Sequence, residues 1–233
     1  MIQDNIDPEA LHQFDQMADS WWDPMGVCKP LHAINPARLQ FIQQQLGQLA
    51  RLDILDVGCG GGILTEALAR EHANVTGLDP SVALIQVARA HAQSEALVID
   101  YIENTIEHFL KHTPRHFAVV TCMELLEHVP DPAALVAACS QLTQADGHVF
   151  FSTINRKPKA WLMAILGAEY CLGWLPRGTH RYEQFIQPAE LAAAARKAGL
   201  TVMECQGIRY HPLSGSWRLS QTVDVNYLMY CRK

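Results

Sequence analysis

Ile54-Leu55-Asp56-Val57-Gly58-Cys59-Gly60-Gly61-Gly62-Ile63 joins a short apolar run to a string of glycines and then to an amphipathic stretch, Leu64 to Glu71. The run reads as a buried strand and the stretch as a helix, so the glycines occupy a strand-to-helix turn. Backbone without side chains lets a ligand approach closely there, and the free N–H groups at the helix start favour an electron-rich partner. A dinucleotide fingerprint G-x-G-x-x-G would place a glycine at position 63, which is Ile. The spacing D-x-G-x-G-x-G therefore argues against a nicotinamide enzyme.

Outward from this turn, further strand-like runs follow at Val75 to Leu78, Val98 to Ile102, Phe117 to Cys122 and Val149 to Ile154. Helical patterns at Ser81 to Gln93 and Pro132 to Leu142 separate some of them, the signature of parallel strands joined by crossover helices. A helix (Pro188 to Ala198), a strand (Leu200 to Gly207), a loop (Tyr210 to Ser220) and a last strand (Val223 to Cys231) close the chain. A helix-free connection cannot make a parallel crossover, so the last two strands should form an antiparallel pair. The expected fold is α/β: a doubly wound, mostly parallel seven-stranded sheet with an antiparallel last strand, a single domain over residues 1–233. Residues 1–50 read as a helical cap, with patterns at Pro8 to Met17 and Pro36 to Leu49. That cap either packs on one end of the sheet or closes Trp21, Trp22 and Lys29-Pro30-Leu31-His32 over a ligand.

Composition excludes several classes. With 18 Lys+Arg against 24 Asp+Glu, the formal net charge is −6, which repels a phosphate backbone and makes nucleic acid an unsuitable partner. Seven cysteines, odd in number and never C-x-x-C, suit a reducing compartment better than a disulfide framework or a zinc site. The acidic start, with Asp4, Asp7, Glu9 and Asp15, is neither a secretory signal nor a transit peptide, so the mature chain should begin near Met1. No stretch reaches the roughly 18 uninterrupted apolar residues of a membrane-spanning helix.

Two acids frame the glycine turn. Asp56, before it, would be unwelcome beside a pyrophosphate but would stabilise a cationic amino-acid headgroup. Asp79, 21 residues after Gly58, either accepts both hydroxyls of a ribose or caps the helix that follows Asp79-Pro80-Ser81. S-adenosylmethionine carries such a headgroup, a ribose and a sulfonium, and no phosphate.

The glycine turn, Asp79 and the strand pattern resemble the class I S-adenosylmethionine-dependent methyltransferases. More narrowly, S-W-W-D-P-M-G-V-C-K-P-L-H-A-I-N-P-A-R-L (20–39), T-C-M-E-L-L-E-H-V-P-D-P (121–132), F-F-S-T-I-N-R (150–156), G-A-E-Y (167–170) and D-V-N-Y (224–227) resemble the ubiquinone biosynthesis O-methyltransferases. The resemblance spans nearly the whole chain. It implies Arg38, Gly58, Asp79 and Met123 as cofactor residues, joining Asp56 and Gly60 from the turn itself. It also implies a polyprenylated phenol or quinol substrate, methylated at two steps, and a bacterial enzyme peripheral to the inner membrane on its cytoplasmic side. Association with other ubiquinone-biosynthesis enzymes in a complex is a further expectation. Another small phenol as substrate, or a non-catalytic assembly role at the membrane, are the alternatives.

A phenol with a solution pKa near 10 needs help to lose its proton at neutral pH. Glu124, Glu127 and His128 follow the fourth strand at spacing i, i+3 and i+4, which one helical turn would bring to one side. They read as ligands for Mg²⁺, as resemblance to eukaryotic members implies, as a His128 general base tuned by Glu127 or Glu124, or as a solvated turn before Asp131. Finally, residues 156–181 hold Arg156, Lys157, Lys159, Arg177 and Arg181 against one acid, Glu169, with Trp161 and Trp174 between. This amphipathic basic insertion suits an anionic membrane surface or an active-site lid.

Overall fold

The computed structural model describes residues 4–157, 182–211 and 215–233. The glycine turn sits where the sequence puts it, between β1 (Asp53–Val57) and α3 (Ile63–Arg70). Before it come α1 (Pro8–Gln16) and α2 (Lys29–Leu46). After it the chain alternates β2 (Asn74–Asp79), α4 (Val82–Ser94), β3 (Asp100–Glu103), α5 (Ile106–His112), β4 (Phe117–Met123), α6 (Pro132–Leu142) and β5 (Thr143–Ile154). The C-terminal part is α7 (Pro188–Lys197), β6 (Thr201–His211), β7 (Ser216–Ser220) and β8 (Asn226–Arg232).

The sheet order is β3-β2-β1-β4-β5-β8-β6-β7. β1 to β5 are parallel, β8 runs antiparallel between β5 and β6, and β7 pairs antiparallel with the far side of β6. Among the described residues the sheet thus has eight strands with two antiparallel, against the seven and one expected. The added strand lies inside the segment read as a loop. In β7, Trp217 and Leu219 pack toward α2 while Arg218 between them is exposed. That is strand alternation over a run too short to stand out. The pairing of β6 with β8 agrees with the helix-free connection.

Alternate residues of the central strands face opposite layers. Leu55, Val120, Phe151 and Met229 meet Leu135, Cys139, Leu191 and Ala195 of α6 and α7. Ile54, Val119, Phe150 and Leu228 meet Phe41, Ile42, Leu64 and Leu68 of α2 and α3. Burial on both faces explains why these strands read as continuous apolar runs. α2 starts seven residues before the expected Pro36, which lies inside it. A proline there forfeits one helical hydrogen bond, and the packing of Ala37, Phe41 and Ile42 outweighs that loss. α5 was not anticipated; its Thr105 cap accepts from the His108 N–H, and only Ile106 and Phe109 are buried.

Candidate active site

At the carboxyl ends of the parallel strands lies a cavity of about 500 Å³, where open α/β sheets bind ligands. Gly60 adopts φ +54°, and a Cβ there or on Gly61 would strike the Trp21 ring at 2.6 or 2.3 Å. The glycines thus admit both a left-handed turn and the close approach of the N-terminal segment.

Asp79 holds this turn. Its Oδ2 accepts the Gly60 N–H and its Oδ1 the Ser81 N–H, both at 2.9 Å. Ser81, not Asp79, caps α4, its hydroxyl accepting the Leu84 N–H. Burial raises the Asp79 carboxyl to about 6 despite these donors. Asp56 also lines the cavity, but its two oxygens accept from Thr65 Oγ1 at 2.6 Å and Thr121 Oγ1 at 2.7 Å. Burial pushes its pKa up. The hydroxyls tie β1 to α3 and β4 and fix the carboxylate in place.

Arg38, on α2, is buried beside Glu124, Nη2 to Oε1 at 3.5 Å, and its Nε and Nη2 have no well-formed hydrogen bond among the described residues. Burial lowers its pKa, and the negative charges of Glu124, Asp56 and Glu127 oppose that shift. Met123, the last residue of β4, lines the same cavity.

Glu124, Glu127 and His128 all line the same cavity, but not on one helical turn. Glu124 has φ +53°, outside the 3₁₀ turn Leu126–His128. A left-handed conformation is uncommon for a residue with a side chain and persists where surroundings impose it. Ser152 Oγ donates to its Oε1 at 2.7 Å, Asn226 Nδ2 to its Oε2 at 3.2 Å, and its own N–H reaches Ser152. Glu127 is buried; Thr153 Oγ1 donates to its Oε2 at 2.7 Å, while Oε1 meets no donor among the described residues. Burial, and then the Glu124 charge, raise its pKa to about 8. The His128 ring meets Phe14 of α1 edge-on, centroids 5.0 Å apart.

The N-terminal segment closes over the cavity. Phe14, Met17, Trp21, Leu31 and Ile34 face into it. Trp22 Nε1 donates to the Gly61 carbonyl at 2.8 Å. Its ring lies flat on His91 at 3.5 Å, and His91 Nδ1 meets the buried Glu66 Oε1 at 2.7 Å. A hydrogen bond and a stack each contribute about 1 kcal/mol. Trp22→Leu is therefore expected to raise limited proteolysis within residues 18–30 roughly 30-fold with the sheet intact, as measured by cleavage kinetics.

A methyltransferase domain model matches residues 31–204. A ubiquinone biosynthesis O-methyltransferase of Histophilus somni (strain 2336) is 51% identical over 228 residues, covering 96% of this chain and 96% of the relative. One from Yersinia pestis (strain Pestoides F) is 48% identical, covering 98% and 95%. The chain belongs to the ubiquinone biosynthesis O-methyltransferase family. Solved structures share the fold at low identity. Magnesium protoporphyrin IX methyltransferase from Synechocystis, with bound SAH, aligns at TM-score 0.67 and 16% identity over 94% of this chain and 93% of that one. A possible histamine N-methyltransferase from Thermotoga maritima aligns at TM-score 0.67 and 16% identity over 96% and 99%.

In this member of the O-methyltransferase family the acidic cluster does not fit a divalent cation. Both Glu124 oxygens already accept from protein donors, with Arg38 beside them, and Glu127 is held by Thr153. Among the described residues, no three His, Cys, Asp or Glu side chains converge to hold a metal. The Mg²⁺ reading of Glu124, Glu127 and His128, one of the three that their spacing allowed, thus finds no assembled ligand set among the described residues. Thr121, Ser152, Thr153 and Asn226 lie inside the quoted motif blocks but were given no role there, and Thr65 lies outside them. Ser152 and Thr153 left one signal, two hydroxyls inside an apolar strand, where polar side chains need a partner.

Proposed function

We propose that the chain is an S-adenosylmethionine-dependent O-methyltransferase acting on ring hydroxyls of a 2-polyprenyl-6-hydroxyphenol and of 3-demethylubiquinol. The observation that carries this is one cavity bounded by a braced glycine turn and by a buried carboxyl with an oxygen unclaimed by protein donors. Asp79 would accept the ribose hydroxyls, the turn at Gly58 and Gly60 would cradle the nucleoside, and Arg38, Asp56 and Met123 would receive the amino-acid end. When bound, the cofactor supplies an electrophilic methyl group on a sulfonium.

In this reading Glu127 takes the phenolic proton. A carboxyl raised to about 8 lies between an ordinary carboxylate and a phenol, which suits it to this transfer. Glu124, fixed by Ser152 and Asn226, and Arg38 set the field around it, and the apolar N-terminal cap excludes water. His128→Ala is expected to keep turnover within about tenfold of wild type in a methyl-transfer assay. A loss confined to His128→Ala, with Glu127→Gln active, would move the role to the imidazole. Acceptors lacking the prenyl tail test the substrate class, since equal kcat/KM with and without it would favour another small phenol.

We further assign residues 156–181 to an anionic membrane surface, which places the enzyme at the cytoplasmic face of the inner membrane, within reach of partner enzymes. Residues 158–181 lie outside the described residues. Arg156 pairs with Glu190, and Lys157 with Asp224 at 3.1 Å. Lys159, Arg177 and Arg181 would therefore carry the contact. Among the described residues no helix is long and apolar enough to cross a membrane. At about 1 kcal/mol per basic residue, reversing those three charges is expected to lower binding to anionic liposomes more than about tenfold, read by sedimentation.

A further inference from the structure

The strand order divides the cavity into two halves. Gly60 and Asp79 lie at the ends of β1 and β2. Across β4, the ends of β5 and β6 and the starts of β8 and β7 meet the same edge, because Ile154 pairs with Asn226, Ile208 with Asn226 and His211 with Ser216. Five cavity residues come from this edge: Ile154, Tyr210, Trp217, Val225 and Asn226. Tyr210 and Trp217 are cross-strand partners with ring centroids 5.4 Å apart and an interplanar angle of 52°. Trp217 also leans on the core beneath α2, which limits its movement. Asn226 donates to Glu124 and so links this wall to the acidic cluster.

We propose that the Tyr210–Trp217 pair is the platform that receives the ring and first isoprenoid carbons of the methyl acceptor. This rests on the proposed function and adds the residues that select its substrate. Three observations favour an apolar benzenoid ligand over a polar one. Ile154, Val225 and the two rings provide the apolar surface, the tilted rings leave faces and edges suited to a third ring, and Asn226 is already engaged by Glu124. The pair stands on a hairpin beyond β8, on the opposite side of β4 from Asp79, so it selects the acceptor without touching the cofactor half.

The experiment uses the full-length protein saturated with S-adenosylhomocysteine and a catechol bearing one prenyl group as probe. Calorimetry gives the probe Kd, and methyl-transfer assays with S-adenosylmethionine give KM and kcat. Tyr210→Leu and Trp217→Leu are each expected to raise Kd and KM about tenfold, with kcat within about threefold and S-adenosylhomocysteine affinity unchanged. Trp217→Phe, which keeps a ring, should recover most of the loss. Wild-type Kd and KM in both leucine variants would overturn the platform while leaving the functional reading intact. A wild-type enzyme that neither binds nor methylates the probe would overturn the functional reading itself. Should Trp217→Leu lose S-adenosylhomocysteine binding through misfolding, Tyr210→Leu and Trp217→Phe decide the matter.

Discussion

Glu127→Gln is expected to lower kcat by between about 10² and 10⁴ while making the protein more stable at alkaline pH. The first effect follows from removing the proton acceptor while preserving volume and the bond from Thr153. The second follows from burial. Folding raises the Glu127 pKa from 4.5 to about 8, so the native state binds a proton more tightly than the unfolded chain. The resulting stability is fully present below pH 4.5 and is lost as pH rises through about 8. Across that window the loss is on the order of 3 to 5 kcal/mol, and glutamine, which never ionises, escapes it. For a chain of this length, thermal unfolding at pH 9 should show a gain of at least about 6 °C, with little change at pH 5. In the wild type, kcat should rise with pH through about 8 as the base form accumulates, and the variant should lack that inflection. A wild-type pH profile in Glu127→Gln would remove the proposed base.

Asp79→Ala is expected to weaken S-adenosylhomocysteine binding by between about 10² and 10³ in calorimetry. The carboxylate is assigned two ribose hydroxyls, and hydrogen bonds to charged groups contribute about 1.5 to 3 kcal/mol each. It also anchors Gly60 and Ser81, so truncation releases both the turn and the entrance to α4. Asp79→Asn keeps one acceptor and should fall between the two. Because burial raises this carboxyl to about 6, ligand affinity should decline as pH drops below that value, where a protonated oxygen no longer accepts. Its stability contribution runs the same way as that of Glu127, present at low pH and lost through about 6.

The glycine turn, the place of Asp79 at a strand end and the parallel strands were legible because each depends on local rules of backbone freedom and of apolar runs buried on both faces. The acidic cluster was legible as a place but not as a geometry. Its i, i+3, i+4 spacing suggested one helical face, whereas contacts with Ser152 and Asn226 hold Glu124 in a left-handed conformation. Asp56 was legible as an acid beside the turn, but no local pattern could show that Thr65 and Thr121, 9 and 65 positions away, donate to its two oxygens and brace it. β7 and α5 escaped because five and seven residues give too few periods to separate from a loop. The inward closure of Trp21 and Trp22 is a tertiary choice, and the apolar spacing of the cap fitted either outcome.

The flat contact between Trp22 and His91 bears on timing as well as shape. It fastens the N-terminal segment to the glycine turn and to α4, so under the proposed cofactor pose spent cofactor would depart when that clasp lets go. Each turnover would then include a door opening at the N-terminus, a step faster than the methyl transfer whose pH dependence kcat reports.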